Sequence, residues 1–160
     1  MDNNTTTDPA TTLLAALAAG DHDAADRAAD HLPHGAGTPE LVRACLGAGA
    51  TAAAWHAASC MPEGEGTPEL VRACIDAHAH PAAGAVAARM PAGAGTPELV
   101  RACIEVGAIG AAYQVAVHLP RGSATPELVR AALGAGAGDL ASWLASCIPE
   151  GWRLLEEAGE

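Results

Sequence analysis

One heptapeptide recurs along the chain without any change of spacing. The sequence Thr-Pro-Glu-Leu-Val-Arg-Ala begins at Thr38, Thr67, Thr96 and Thr125, so the repeat is 29 residues long. A strict period of this length is typical of stacked supersecondary units, each of which buries its apolar face against its neighbours. The period therefore constrains the architecture more strongly than any other feature of the sequence.

A second motif keeps the same register. An apolar residue, Pro, a variable residue and Gly occur together at 32–35, 61–64, 90–93, 119–122 and 148–151. Pro disfavours helical geometry in the residue before it, so the motif predicts the end of a helix. At Pro62-Glu63-Gly64 we predict a type I turn, with Pro as its second residue and Gly as its fourth.

Each unit contains signals for two short helices. Thr38 is a good N-cap, and Pro39 suits the first helical position. Apolar residues at helical spacing follow, and Gly49 ends this first helix. A second helix is expected from about Thr51 to Cys60, after which the next unit begins.

These signals predict an all-α protein, a right-handed α-solenoid of five two-helix repeats with a C-terminal capping helix. We expect a single helical-repeat domain over 9–160, after a disordered N-terminus at 1–8. The first and last units depart from the repeat, as expected of units that cover an exposed apolar end. The units are predicted at about 9–37, 38–66, 67–95, 96–124 and 125–153, with the cap at 154–160.

The helical hairpin itself resembles a known class of repeat. The turn residue Gly49, Ala53 in an Ala-rich second helix, and Met61-Pro62-Glu63 followed by Gly64 are similar to pentatricopeptide and tetratricopeptide repeats. The resemblance implies a stack of helical hairpins. The unit is several residues shorter than in either family, and the large aromatic residue of the tetratricopeptide motif is missing. Pentatricopeptide proteins bind single-stranded RNA through variable first helices, whereas the first helices here are nearly identical, so we carry over the architecture alone.

Charge and composition argue against several classes of partner. The formal net charge is −11 and all eight basic residues are Arg, so we expect no nucleic-acid partner. No apolar stretch resembles a membrane span, and the polar N-terminus does not resemble a signal peptide. Five Cys is an odd count, which indicates free thiols and a cytoplasmic location.

Positions that differ between units are the candidates for function, because the constant positions build the scaffold. Most of these differences fall on one face of the second helices, where residues four apart are neighbours. Large aromatic side chains on an Ala-rich face are typical anchors of contact surfaces. The candidate ligand- or partner-binding residues are Arg27, His31, Trp55, His56, Arg89, Tyr113, Gln114, His118 and Trp143.

The sequence favours a non-enzymatic binding or assembly module that uses this variable face for protein–protein contact or self-association, with a homodimer as the expected assembly. One alternative is a small-molecule-binding protein, either a self-resistance protein or a natural-product enzyme. It would hold an apolar or planar ligand between repeats, in a pocket lined by Trp, Tyr and His. Another alternative is an engineered or consensus-like repeat scaffold. We predict no catalytic residue and no cofactor.

A metal site is a further alternative. His56 and Cys60 lie four residues apart, and with His31 from the preceding unit they offer ligand types that zinc accepts. The sequence contains no compact zinc-binding motif, so no metal is included in the main prediction.

The remaining cysteines and histidines have simpler interpretations. Cys45, Cys74 and Cys103 share one repeat position on the apolar face, where Cys behaves as a small hydrophobic residue. This leaves Cys60 and Cys147 as the expected exposed thiols. His78 and His80 break the Gly-rich pattern of the links, and the sequence does not assign them a role.

Overall fold

A computed structural model describes residues 8–157, and all regular structure in that range is helical. The residues at 1–7, where we predicted disorder, and the end of the predicted cap at 158–160 lie outside the described range. The helices are α1 Pro9–Ala19, α2 His22–Asp30, α3 Pro39–Gly47, α4 Thr51–Ser59, α5 Pro68–Asp76, α6 His80–Ala87, α7 Pro97–Glu105, α8 Ile109–Val117, α9 Pro126–Gly134, α10 Gly138–Ser146 and α11 Trp152–Glu157.

The heptapeptide forms the start of each repeated first helix, as predicted. The hydroxyl oxygen of Thr38 accepts a hydrogen bond from the backbone N–H of Leu41 at 3.2 Å. The same bond recurs at Thr67, Thr96 and Thr125, and Pro occupies the beginning of each of these helices. A side-chain N-cap of this kind satisfies one of the N–H groups that the first turn leaves unpaired.

Each first helix ends in a left-handed residue that turns the chain into the second helix. Gly49 has φ +74°, and the N–H of Ala50 then donates to the carbonyl of Cys45 at 2.9 Å. In the third unit the same position is occupied by His78, whose φ is +56°. A side chain with a Cβ is strained in this conformation, so the break in the Gly pattern at His78 has a structural cost.

The units stack into an α-solenoid of five helix pairs, with α11 packed on the last of them. Each first helix packs against the second helix of its own unit, and from α2 to α8 successive second helices pack more extensively than successive first helices. Small side chains permit this close approach. Ala29, Ala58, Ala87, Ala116 and Ala145 are all buried, as the sequence indicated.

The turn after α4 differs from our prediction. The N–H of Glu65 donates to the carbonyl of Pro62, so Pro62 is the first residue of the turn and Gly64 the third. Gly64 has φ +88°, a conformation that a type I turn does not use at that position. The type I assignment was therefore wrong. The left-handed Gly directs its own N–H towards the next unit.

Candidate functional site

Hydrogen bonds from the turns lock consecutive units together. The N–H groups of Gly35 and Gly37 both donate to the carbonyl of Cys60, at 2.8 and 3.1 Å. Cys60 follows the last turn of α4, where carbonyl groups have no partner within the helix. The first turn therefore satisfies the carboxyl end of the second helix in the following unit.

The same lock recurs in the next units and becomes weaker along the chain. Gly64 and Gly66 donate to the carbonyl of Arg89, at 2.8 and 2.9 Å. Gly95 donates to the carbonyl of His118 at 2.9 Å. Within the described chain, neither backbone N–H of the fourth turn donates to the equivalent carbonyl of α10.

The fourth turn differs from the others at one residue that makes close contact with the next unit. Gly37, Gly66 and Gly95 share one repeat position, and a Cβ on any of them would overlap the backbone at the end of the next second helix. Ala124 occupies this position in the fourth unit. Its methyl group prevents the same close approach to α10, and the contact between α8 and α10 is the least extensive of those between consecutive second helices.

Two large side chains face each other across the widened interface. The ring centroids of Tyr113 on α8 and Trp143 on α10 are 6.3 Å apart with planes inclined at 57°, within the usual range for an aromatic pair. At the equivalent positions of the preceding interface the sequence has Gly84 and Gln114. Two rings need more room than Gly and Gln, so the aromatic pair and Ala124 both favour separation.

The result is a groove between α8 and α10, which we call the aromatic groove. Its α8 wall carries Ile109, Tyr113 and Val117, and its α10 wall carries Asp139, Trp143 and Cys147. Both sets are spaced by four residues, so each lies along one helix face. The groove has a volume of about 850 Å³ on the side of Asp139 and about 690 Å³ on the side of Cys147, with Trp143 lining both parts.

The burial of neighbouring residues confirms that this interface is open. Leu32, Met61 and Met90 are buried at equivalent positions of the earlier units, with exposed fractions of 6%, 2% and 3%. Leu119 occupies that position in the fourth unit, where it lines the aromatic groove, and is half-buried. Tyr113 and Trp143 are also half-buried, so the aromatic groove exposes apolar surface that the other interfaces cover.

Charged side chains lie at opposite ends of the aromatic groove. Asp139 lies one helical turn before Trp143, and its carboxylate is exposed. Arg121 belongs to the turn before α9 and lines the other part, near Cys147. The middle of the groove is aromatic and aliphatic, so a bound molecule would meet opposite charges at its two ends.

Other predicted site residues hold the first three units together. The Nδ1 atom of His56 lies 3.5 Å from Oδ1 of Asp30, and Nη2 of Arg89 donates to the carbonyl of Ser59 at 2.8 Å. Both contacts join consecutive second helices. The structure therefore places His56 and Arg89 at interfaces between units, apart from the aromatic groove.

The remaining predicted site residues are dispersed. Trp55 is 42% exposed and contacts the ring of His56 edge to face, with centroids 4.7 Å apart. Arg27 and His31 are exposed near the first unit, and Nδ1 of His31 lies 2.6 Å from the carbonyl oxygen of Arg27. Gln114 lines a smaller depression between α6 and α8, and His118 is half-buried. Of the nine predicted residues, the structure brings only Tyr113 and Trp143 together in the groove.

The residues considered for zinc make contacts with protein groups instead. The Sγ atom of Cys60 donates to the carbonyl of Leu32 at 3.3 Å, while His31 and His56 have the partners given above. Between residues 8 and 157 there is no group of three or more His, Cys, Asp or Glu side chains arranged to hold a metal ion.

The cysteines divide into core and surface groups, largely as predicted. Cys45, Cys74 and Cys103 are fully buried, and burial raises their pKa values from 9.0 to about 11, 12 and 11. Cys147 is exposed, as predicted. Cys60 is half-buried rather than exposed, with its Sγ hydrogen-bonded to the carbonyl of Leu32. Burial raises its pKa as well.

Comparisons with known proteins give no relative from which a function could be transferred. Neither a protein-family model, nor a curated protein, nor a solved structure matches this chain. None of the helices within 8–157 has the length and apolar character needed to cross a membrane. The candidate function therefore rests on the geometry of the chain itself.

Proposed function

We propose that this chain is a non-enzymatic binding module whose site is the aromatic groove between α8 and α10. The observation that carries the proposal is the half-buried pair of Tyr113 and Trp143 in an interface that Ala124 leaves unlocked. Buried aromatic pairs elsewhere in proteins complete a core. This pair instead borders open space on both sides of Trp143.

The dimensions of the groove favour a small molecule as the occupant. Each part has a volume within the range of roughly 300–1,000 Å³ that is typical of ligand sites. The walls supply rigid aromatic and aliphatic surface, on which an apolar or planar molecule can stack. The proposal thus combines two of the possibilities raised by the sequence. The site binds a small molecule, and the protein has no enzymatic activity.

The proposal is tested with 4-tert-butylphenol, a neutral aromatic probe, added to ¹⁵N-labelled protein. We expect a saturable shift of the indole N–H resonance of Trp143. The resonance of Trp55 should stay in place, because this exposed Trp lies outside the groove. Tyr113→Ala should weaken binding about tenfold, since truncation of a well-packed aromatic contact costs about 1–2 kcal/mol. Absence of a saturable shift at Trp143, or an equal shift at Trp55, contradicts the proposal.

Self-association is the second candidate, and the exposure of Trp55 favours it. Its side chain stands beside Ala85 in the repeat register, so a second copy of the chain could cover it without displacing a large neighbour. Light scattering on the wild type and on Trp55→Ala tests this candidate. A dimer that becomes a monomer in the variant supports it, and a monomeric wild type contradicts it.

The thiols support a reducing compartment. All five Cys are free, and three of them are buried in the core. Free thiols persist in the cytoplasm, which we propose as the location. Mass spectrometry of protein alkylated under denaturing conditions, directly from its native cells, tests this. Five alkylated thiols are expected, and a disulfide or another oxidised Cys would contradict the location.

A further inference from the structure

The part of the aromatic groove at the amino ends of α8 and α10 combines aromatic rings with one negative charge. Of the described residues that line it, Asp139 is the one with a charged side chain. It precedes Trp143 by four residues, so its carboxylate and the indole lie on the same face of α10. Tyr113 faces this pair from α8, with its ring 6.3 Å from that of Trp143.

We infer that this part of the groove binds a small organic cation, such as a quaternary or tertiary ammonium group attached to an apolar body. The inference deepens the proposed function and rests on it. Aromatic faces carry negative electrostatic potential, and Trp and Tyr are the aromatic side chains that attract cations most strongly. A carboxylate beside two such rings adds a full negative charge to the same site.

The partial positive charges at the amino ends of the helices do not reverse the preference for a cation. The amino end of α10 presents unpaired N–H groups equivalent to about half a positive charge, and its N-cap residue Ala137 contributes no side-chain hydrogen bond. The amino end of α8 lines the same part through Ile109 and Gly110, and its N-cap Ala108 likewise contributes no side-chain hydrogen bond. Asp139 lies in the first turn of α10, and its whole negative charge balances these two partial charges. The faces of Tyr113 and Trp143 and the net charge of the chain then favour a cation.

The charge of the whole chain acts in the same direction. The formal net charge of −11 attracts cations from solution and repels anions, over distances set by the ionic strength. Arg121, the basic residue of the groove, lies in the other part beyond Trp143. A cation bound beside Asp139 is therefore separated from that positive charge by the indole ring.

The hydration of the ligand decides which cations fit best. The site is a groove open to solvent and not a closed cavity, so it cannot replace the full hydration shell of a primary ammonium ion. A methylated ammonium group is more weakly hydrated and has an apolar surface that packs against rings. Its apolar body can extend over Ile109, which is half-buried on the α8 wall.

Two isosteric probes separate the effect of charge from that of shape. The cation (4-hydroxyphenyl)trimethylammonium and neutral 4-tert-butylphenol have the same outline, and 4-hydroxybenzenesulfonate supplies the opposite charge. Each is titrated at neutral pH and low salt while the Trp143 indole N–H resonance is followed. We expect the cation to bind about tenfold more tightly than the neutral probe, as one cation–aromatic contact with an adjacent carboxylate predicts. The sulfonate should bind most weakly.

Asp139→Asn provides the decisive variant, because Asn preserves the shape of the side chain and removes its charge. The preference for the cation should fall several-fold, whereas the affinity for 4-tert-butylphenol should not change. Asp76→Asn at the end of α5 is the matched control, since it changes the net charge equally at a site away from the groove. It should retain nearly the whole preference.

The possible results distinguish the two levels of the proposal. If the neutral probe binds Trp143 as tightly as the cation, or if Asp139→Asn and Asp76→Asn have equal effects, the inference about charge is wrong and the groove remains a binding site. If none of the three probes produces a saturable shift, the proposed function itself is contradicted.

Discussion

The backbone N–H of Gly66 donates a hydrogen bond to the carbonyl of Arg89 across 2.9 Å, and this contact joins the second unit to the third. It exists because Gly66 has no Cβ that would overlap the backbone of α6. The fourth unit has Ala124 at the same repeat position, and there the aromatic groove opens. The open interface thus differs from the closed ones by the methyl group of Ala124 and by the ring pair of Tyr113 and Trp143.

Gly66→Ala should lower the free energy of unfolding of the chain more than a substitution on its surface does. The new methyl group would overlap the carbonyl oxygen of Val86 and break two hydrogen bonds to Arg89. The expected loss is about 3 kcal/mol in the free energy of unfolding, measured by urea denaturation. Gly134→Ala is the control, because a Cβ there meets nothing within 4 Å. A loss no larger than that of the control would show that the lock does not stabilise the stack.

His78→Gly should stabilise the protein. His78 adopts φ +56°, a conformation that costs a side chain about 1–2 kcal/mol and costs Gly little. Gly also increases the freedom of the unfolded chain, so the net gain in the free energy of unfolding should be about 0.5–1 kcal/mol. The reverse change at the equivalent Gly107, Gly107→His, should destabilise by a similar amount. If His78→Gly and Gly107→His both stabilise the protein, or if neither does, the backbone at His78 is not strained.

Because the core thiols have raised pKa values, the free energy of unfolding should fall at alkaline pH. Folding raises the pKa values of Cys45, Cys74 and Cys103 above 9.0, so the folded chain keeps protons that the unfolded chain releases. The free energy of unfolding should therefore fall as the pH rises from about 9 towards 11, by about 1 kcal/mol per pH unit for each thiol. Below pH 9 these groups should have little effect.

The control for this pH dependence is the triple Cys→Ala variant at the same three positions. It should be less stable at neutral pH, because each substitution removes a buried sulfur atom. Its stability should nevertheless change less between pH 9 and 11 than that of the wild type. An unchanged slope would show that other groups cause the alkaline unfolding.

Thiol reactivity should identify one fast site. Cys147 is exposed on the α10 wall of the aromatic groove, whereas the thiols of the core are buried and have raised pKa values. Cys60 should react more slowly, because its Sγ donates to Leu32 and its pKa is raised by burial. With Ellman's reagent at neutral pH we expect one rapid equivalent, which Cys147→Ser abolishes. A rapid phase that survives this substitution contradicts the description.

The fold could be predicted from the sequence because the signals are local and repeated. Thr38 and Pro39 define a helix start, Gly49 defines a helix end, and a fixed period places these signals in every unit. The turn at Pro62 was misassigned, because a Pro-x-Gly sequence allows Gly at the third or the fourth position. The hydrogen bond to the next unit selects the third.

The site was predicted only in part, because the sequence does not give the distance between neighbouring helices. Repeat register shows which residues occupy equivalent positions, but it does not give the separation between helices. Tyr113 and Trp143 therefore entered the candidate set as members of a longer stripe that also included His56 and Arg89. The structure shows that the latter two join units to each other. The signal that could have located the groove was the exchange of Gly for Ala at position 124.

The affinity of Ala124→Gly for 4-tert-butylphenol tests the central claim most directly, with the Trp143 indole N–H resonance as the readout. Gly at this position allows the turn to approach Cys147 as Gly66 approaches Arg89, so the groove should narrow. We predict that binding weakens at least about tenfold, a loss of about 1.4 kcal/mol, while the chain stays folded. An affinity equal to that of the wild type would contradict the claim that Ala124 holds open a ligand-binding groove.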